Sequence, residues 1–214
     1  MNMARFLDAL SRVPEELTIH IIMVLISLAV AIAISLPLGV LLTRPRFRKL
    51  GALVMNILNI FQAFPGMAII ALTMPVLGMG LKPAIGALVV QALLPIARNT
   101  IAGLYGVDPN TKEAAQGMGM PERKVLFEVE LPLAMPVILA GIRTSAVYVV
   151  SVGTLAAYIG GGGLGDIIVA GLNMLWAEFI IVGAGFGALL AIAFDRGLSY
   201  LERKFTPPGF IVTE

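Results

Sequence analysis

The stretch EAAQGMGMPERKVLFEVELP, Glu113 to Pro132, puts six charged side chains in the middle of a strongly apolar chain. The protein has 214 residues, 58% hydrophobic and 13% charged, with a mean hydropathy of +0.94. On either side of this island the apolar residues fall in blocks. A soluble domain of this length would instead show polar helix faces or alternating strands. Thr18 to Leu42 and Leu50 to Leu81 contain no Asp, Glu, Lys or Arg. About 20 apolar helical residues cross a hydrocarbon core of ~30 Å, so the first run makes one span and the second exceeds what a straight span needs. The chain reads as an all-α integral membrane protein forming a single transmembrane domain over 1–214.

Five spans are predicted, at 17–42, 51–80, 84–105, 133–155 and 178–199. The second contains FQAFPGM, where Pro65 removes a backbone donor and Gly66 loosens the helix, so a kink is expected there. Splitting this run into two spans would leave each half short. The amino terminus, MNMARFLDALSRVPEEL, is amphipathic and lacks a small-residue cleavage site, which does not fit a removable signal. With no cysteine, disulfides, thiolate zinc sites and thiol catalysis are excluded.

Lys and Arg orient the spans. Arg44, Arg46, Arg48 and Lys49 follow the first span; Lys112, Arg123 and Lys124 lie in the island; Arg196, Arg203 and Lys204 close the last span. Five spans put these ten on one side and Arg5, Arg12 and Lys82 on the other. The expected topology has the amino terminus outside and the carboxyl terminus in the cytoplasm. The net charge of +2 then reflects basic cytoplasmic loops, with no nucleic-acid partner.

The segment at 106–132 reads as a cytoplasmic loop between the third and fourth spans. Asp108 caps a helix with Pro109 at its first position, and Pro121–Glu122 starts a second. Gly117 and Gly119 allow a sharp bend between them. Thr111, Ala114, Ala115 and Met118 share one face of the first helix; Lys112, Glu113 and Gln116 share another. On the second, Val125, Leu126 and Val129 form an apolar stripe and Phe127 points elsewhere. Such a pair either docks a partner protein through Phe127 or rests on the bilayer.

The spacing Glu113-Ala114-Ala115, three residues, Gly119, nine residues, then Val129-x-Leu131-Pro132 resembles the EAA motif of ATP-binding-cassette importer permeases, with Val where Ile is common. The wider chain, about 18–200, is similar to the short five-span, type-1, methionine-permease-like members of that superfamily. LLPIARNTIAGLYGVDPNTKEAAQGMGM, VELPLAMPVILAGIRTS and TLAAYIGGGGLGDII look most like the osmoprotectant branch, which takes up glycine betaine, choline, carnitine or proline betaine. The methionine branch shares the loop and GGLG but not the RNT…GL…VDP lead-in, and a methionine or other amino-acid importer is the alternative. The resemblance implies a bacterial inner-membrane permease working by alternating access, with Glu113, Ala114, Ala115, Gly119, Arg123, Phe127, Leu131 and Pro132 coupling to an ATPase dimer. It also implies a second permease copy, identical or similar, and an external substrate-binding protein. Bond chemistry stays off this chain: it is not an enzyme, it binds no cofactor, and ATP and Mg belong to the partner ATPase.

Other features carry alternatives. No GxxxxGK followed by Ser or Thr occurs, so no P-loop is present. Gly160 to Gly165 lacks the following Lys and reads as a packed turn or re-entrant loop near an external gate. Asn56, Asn59 and Gln62 form a polar stripe that is either helix–helix glue or pathway lining. Phe61, Phe64, Tyr148, Tyr158 and Trp176 are aromatics that pack or line a path for a quaternary ammonium by cation–π attraction. Asn59, Gln62, Phe64, Tyr148, Thr154 and Tyr158 are the pathway candidates. Arg98 is expected to snorkel. Arg143, nearly mid-span, needs a partner, since an unpaired arginine costs ~3 kcal/mol on insertion scales; Glu128 and Glu130 are the expected neighbours. His20, the single histidine, is expected at the membrane interface. One His, no Cys and no carboxylate well inside the uncharged runs leave no metal site and no candidates for a membrane enzyme. An ion-coupled secondary carrier would need buried acids and inverted repeats, and neither is visible.

Overall fold

The computed structural model describes residues 2–205; the last residues, and with them the expected cytoplasmic position of the carboxyl terminus itself, lie outside the described residues. Helix α1 runs from Met3 to Thr43 without a break. Asn2 caps it, its side chain accepting from the Ala4 N–H at 3.0 Å. At 1.5 Å per residue its 41 residues extend ~61 Å, about twice the bilayer core. The amphipathic amino terminus is therefore the first part of the first span's own helix, not a separate segment. Phe6, Ala9, Leu10 and Val13 repeat at helical spacing and pack into the core.

After a short 3₁₀ turn, Pro45–Phe47, come α2, Arg48–Ala63, and α3, Gly66–Leu77. The predicted kink is a full break, with the two helices bent by 101°. Phe64 is extended (φ −69°, ψ 137°) because the ring of Pro65 bars the helical region to the residue before it. The halves, at 16 and 12 residues, are ~24 and ~18 Å long, each short of a crossing. Among the described residues four unbroken helices are long and apolar enough to cross a membrane, and the bent pair, taken as one broken span, brings the number to the expected five.

Helix α4, Leu81–Tyr105, is central and packs on α1, α2, α3 and α7. Helix α5, Pro109–Gly117, is capped by Asp108, whose carboxylate accepts from Asn110 N at 2.9 Å. Helix α6, Glu122–Val125, passes through a π-turn, Leu126–Glu130, into α7, Leu131–Gly153. The second island helix thus begins the fourth span instead of standing apart. Leu131 N–H donates five residues back to the Leu126 carbonyl, widening the turn just before Pro132, which has no N–H to give.

A 3₁₀ turn, Thr154–Ile159, the glycine run, α8, Leu164–Met174, and α9, Ala177–Phe205, complete the chain. Small residues set the helix spacing: a Cβ on Gly141 would lie 2.9 Å from the Pro95 carbonyl oxygen, and one on Gly103 would lie 3.0 Å from that of Ala134. Ser35 and Ser145 donate to the Leu93 and Ala92 carbonyls across helices, at 3.1 Å each.

Cross-chain bonds sort the segments between two ends. Asn2 N–H meets Glu178, Gly163 N–H donates to Glu16 at 2.8 Å, and Gly80 N–H donates to the Ile159 carbonyl at 2.8 Å. At the other end Arg44 pairs with Glu130 and Lys112 Nζ donates to the Leu104 carbonyl at 3.0 Å. This grouping is the one that five spans require.

Candidate functional site

The island is a ledge of two short helices, α5 and α6, between the end of α4 and the start of α7. Its corner is Gly119, whose φ of +84° lies in the left-handed region, with nothing within 4 Å of a Cβ placed there. Glycine is needed here for backbone conformation, since space is open. The two alanines of the motif face opposite ways: Ala115 is buried against the body and Ala114 is exposed. The expected common face of Thr111, Ala114, Ala115 and Met118 therefore loses Ala115 to internal packing, beside the buried Val125. Thr111, Ala114 and Met118 point outward, with Met118 77% and Phe127 57% exposed. Glu113, Arg123 and Pro132 are exposed as well, whereas Leu131 is half-buried and packs on the core.

Two contacts that sequence reasoning missed lock the ledge to the membrane helices. Glu130, 6% exposed, takes both terminal nitrogens of Arg44 at 2.5 and 3.4 Å. A buried acid so placed requires a cation partner. Its signal in the sequence is an acid two residues ahead of Pro132, where the chain enters the membrane. Lys112 closes the other arm onto the end of α4. A cavity of about 240 Å³ lies between, lined among others by Arg44, Lys112, Gln116 and Glu130.

Arg143 has a different partner from the one expected. It sits thirteen positions beyond Glu130 on one continuous helix, roughly 20 Å along the axis, so neither Glu128 nor Glu130 reaches it. Asp195 and Glu202 of α9 take it instead: Nη2 to Asp195 Oδ2 spans 3.1 Å and Nη1 to Glu202 Oε2 spans 3.5 Å. Glu128 pairs with Lys124 at 3.8 Å. Arg98 is not merely snorkelling; it donates to Asn59 Oδ1 at 2.6 Å, joining α4 to the polar stripe of α2. Asn59 thus serves as glue between helices in this arrangement.

The pathway candidates are not gathered in one place. Gln62 and Phe64 flank the α2–α3 break, with Phe64 42% exposed; Tyr148 is half-buried on α7 and Tyr158 is 51% exposed beyond it. Thr154 returns its hydroxyl to the Ser151 carbonyl at 2.8 Å. Trp176 stacks under Arg5, 4.6 Å from guanidinium to ring centroid, and tilts against Phe179 at 5.4 Å. That places it in the corner between the amino terminus and α9. His20 is not interfacial: it is fully buried, with Nε2 3.1 Å from the Val150 carbonyl oxygen and the glycines at 153 and 163 closed around the ring.

The glycine run is a packed turn. A Cβ on Gly165 would fall 1.9 Å from the Thr154 carbonyl oxygen, and one on Gly163 would fall 2.9 Å from His20 Nδ1. Beside it lies a cavity of about 360 Å³ bordered by Arg12, Glu16, Asp166 and Asn173. Outside the spans, burial raises the pKa of both Glu16 and Asp166, and the Asp166 charge raises that of Glu16 further. Among the described residues no three His, Cys, Asp or Glu side chains converge in a metal-binding group.

Residues 35–207 match the family described as binding-protein-dependent transport system inner membrane component. The chain is 47% identical over 190 residues to the choline transport system permease protein OpuBB of Bacillus subtilis, covering 89% of this chain and 87% of that one. It is 46% identical to the glycine betaine/carnitine/choline permease OpuCB of the same organism, over the same shares. An osmoprotectant import permease of Salmonella typhimurium, OsmY, is 39% identical over 88% of this chain and 80% of that one. Among solved structures, inward-facing conformations of the MetNI methionine ABC transporter superpose with a TM-score of 0.82 at 25% identity, covering 97% of this chain and all of that chain. A family match across most of the chain, on a five-span fold with a charged ledge at one end, leads to one assignment: the chain belongs to the binding-protein-dependent transport system inner membrane component family of ABC permeases.

Proposed function

We infer that this chain is the translocating subunit of an importer that brings a quaternary-ammonium osmoprotectant, of glycine betaine or choline type, into the cytoplasm. The observation that carries the reading is the 47% identity, over 89% of this chain, to a choline permease. The fold's likeness to a methionine transporter keeps an amino-acid cargo as the second reading, at much lower identity.

In this reading the amino terminus is outside and the ledge is cytoplasmic, because ten bases lie at the ledge end against three at the other. Two copies, or this chain and a similar permease, pair in the bilayer and receive solute from an external binding protein. An ATPase dimer holds ATP and Mg and hydrolyses the nucleotide; this chain performs no bond chemistry and binds no cofactor. Phe127 and Met118 seat in the ATPase, with Glu113, Ala114 and Arg123 at the contact and Gly119 fixing its angle. Leu131 and Pro132 pass the motion into α7. The rigid link supports that transfer: α6, the π-turn and α7 are one continuous helical rod, braced by Arg44 on Glu130.

The test is uptake of radiolabelled betaine, choline and methionine by cells expressing the complete system, together with co-purification of a cassette ATPase. Preference for betaine or choline, lost with the ATPase, is the expected result. Preference for methionine would move the cargo to the second reading, and uptake without any ATPase would point to a secondary carrier.

A further inference from the structure

The break between α2 and α3 leaves polar groups unpaired within the membrane. The Pro65 carbonyl accepts from the N–H groups of Ala68 and Ile69, at 2.8 and 3.2 Å. Those of Gly66 and Met67, the first two of α3, have no acceptor among the described residues. Facing this turn is Gln91 of α4. A Cβ on Gly66 would lie 3.8 Å from Gln91 Nε2 and 2.8 Å from Val152 Cγ1, so the side of the turn without a side chain is the side toward the amide. Gln91 lies ten residues into α4, roughly 15 Å along its axis and half of a ~30 Å hydrocarbon core. It is 1% exposed, and neither Oε1 nor Nε2 has a partner. A buried amide left unpaired is disfavoured. Irregular backbone at this depth persists only where protein covers it or where it borders a water-filled cavity, and here Phe64 and Met67 are 42% and 37% exposed.

We propose that the first turn of α3 and the Gln91 amide form a subsite for the carboxylate of a zwitterionic solute. Two free N–H groups, the positive end of the α3 dipole and an amide donor all favour an anionic acceptor, and a carboxylate has lone pairs for each donor. Phe64, two residues before Gly66, is the nearest aromatic in sequence to receive the cationic end by cation–π attraction. Val152 packs on the turn and Gln91 is closed off, so the carboxylate enters as the turn lifts, with Pro65 as the pivot. The subsite separates solutes that share a quaternary ammonium: glycine betaine carries the carboxylate, and choline carries a hydroxyl in its place. Only the cationic end rests on the osmoprotectant reading above, since an amino-acid cargo brings a carboxylate of its own.

The complete importer, with its ATPase and binding protein, is reconstituted in vesicles carrying either the unsubstituted chain or Gln91→Leu. Leucine fills a similar volume and removes an unpaired amide, so the variant should melt no lower than the unsubstituted chain. With binding protein saturating, maximal uptake of glycine betaine should fall about tenfold, the loss of one hydrogen bond to a charged group, while choline uptake holds. Equal losses for the two solutes would overturn the proposal by making Gln91 a packing residue, and unchanged betaine uptake would remove it from the path. A second measurement reads binding without transport. The chain has no cysteine, and Met67→Cys places a thiol at the turn. Millimolar glycine betaine should slow its modification by a small thiol reagent, choline should not, and adding Gln91→Leu should abolish the protection. Protection by both solutes or by neither would overturn the subsite, as would a thiol that never reacts, which would show the turn sealed from the path. If the importer carries methionine and neither quaternary ammonium, the osmoprotectant reading fails alone: the subsite then requires methionine to protect Met67→Cys and its uptake to fall in Gln91→Leu, and intact methionine uptake would overturn the subsite as well.

Discussion

Arg143 of α7 is held by Asp195 of α9, with Glu202 one further contact down the same helix. The pair joins two helices inside a membrane domain, where a lone charge is costly and finds a partner or faces a cavity. Removing only the cation leaves two acids facing each other without it; removing both members of the close pair leaves a neutral contact. Arg143→Gln should therefore lower membrane yield and thermal stability more than the double variant Arg143→Gln with Asp195→Asn. Size-exclusion profiles and melting of the purified chains measure the difference. Additive losses would show that the two residues act separately.

Gly165 and Gly185 are both helical glycines with opposite surroundings. A methyl group on Gly165 would collide with the Thr154 carbonyl, whereas nothing lies within 4 Å of one on Gly185. Gly165→Ala should destabilise by about 1–3 kcal/mol or more, the range for overpacking against atoms that cannot yield. Gly185→Ala should stabilise the isolated chain by up to about 1 kcal/mol through helix propensity. If Gly185→Ala instead abolishes uptake while raising the melting temperature, that face of α9 meets another protein.

Acidification should tighten the corner formed by Glu16 and Asp166. Burial raises both pKa values above the ordinary 4.5 and 3.8, with their mutual repulsion adding to that of Glu16. The folded state then retains protons that the unfolded chain has released, so stability falls as pH rises from the ordinary values through the folded ones. Above that window the full cost is present. Glu16→Gln and Asp166→Asn should raise the melting temperature at neutral pH and flatten its rise on acidification. Glutamine at 16 retains an oxygen for the Gly163 N–H, so the turn itself should survive.

The features legible in the sequence are those set by local chemistry. Uncharged runs give the spans, Asp108–Pro109 gives the start of α5, and Gly119 gives the corner with its positive φ. Long-range pairing was not legible. Arg143 and Asp195 are 52 positions apart and Arg44 and Glu130 are 86 apart, and nothing in residue spacing says which acid meets which base. Two misreadings share one cause, an assumption that helices stop where composition changes. The amino-terminal segment continues α1 because Phe6, Ala9 and Val13 bury one stripe, and the second island helix continues into α7 because a π-turn absorbs Pro132. His20 looked interfacial from its position near the span's end; only the glycines at 153 and 163, distant in sequence, make room to enclose it.

At the ledge, Gly119 can be tested separately from Phe127. The φ of +84° favours glycine and tolerates asparagine better than β-branched residues. Gly119→Asn should keep most ATP-driven uptake, while Gly119→Val should lose it, since about 1–2 kcal/mol of backbone strain reshapes the corner. Phe127→Ala leaves the backbone untouched, and at 57% exposure its loss should scarcely change melting. Uptake should fall by tenfold or more, the loss of a ~1.4 kcal/mol anchor of the kind that dominates interfaces. Equal uptake by Phe127→Ala and the unsubstituted chain would place the anchor elsewhere, with Met118 the next side chain to change.

The sidedness of the chain decides whether the ledge can meet an ATPase at all, because ATP is available only in the cytoplasm. No cysteine occurs in the sequence, so one introduced thiol reports its own location without background. Leu175, between α8 and α9, is 90% exposed and Met118 at the ledge is 77% exposed, so both positions suit a reagent. The cross-chain bonds put them at opposite ends, since α8 joins the end held by Glu16 and Gly163 while the ledge is held by Arg44 and Glu130. The basic residues concentrate at the ledge end, and the proposed topology, by the positive-inside bias, puts that end in the cytoplasm. A membrane-impermeant maleimide should therefore label Leu175→Cys in cells with only the outer envelope opened, and Met118→Cys only after the inner membrane is breached. The reverse pattern would put the ledge outside, out of reach of any ATPase, and would remove the docking role of Phe127.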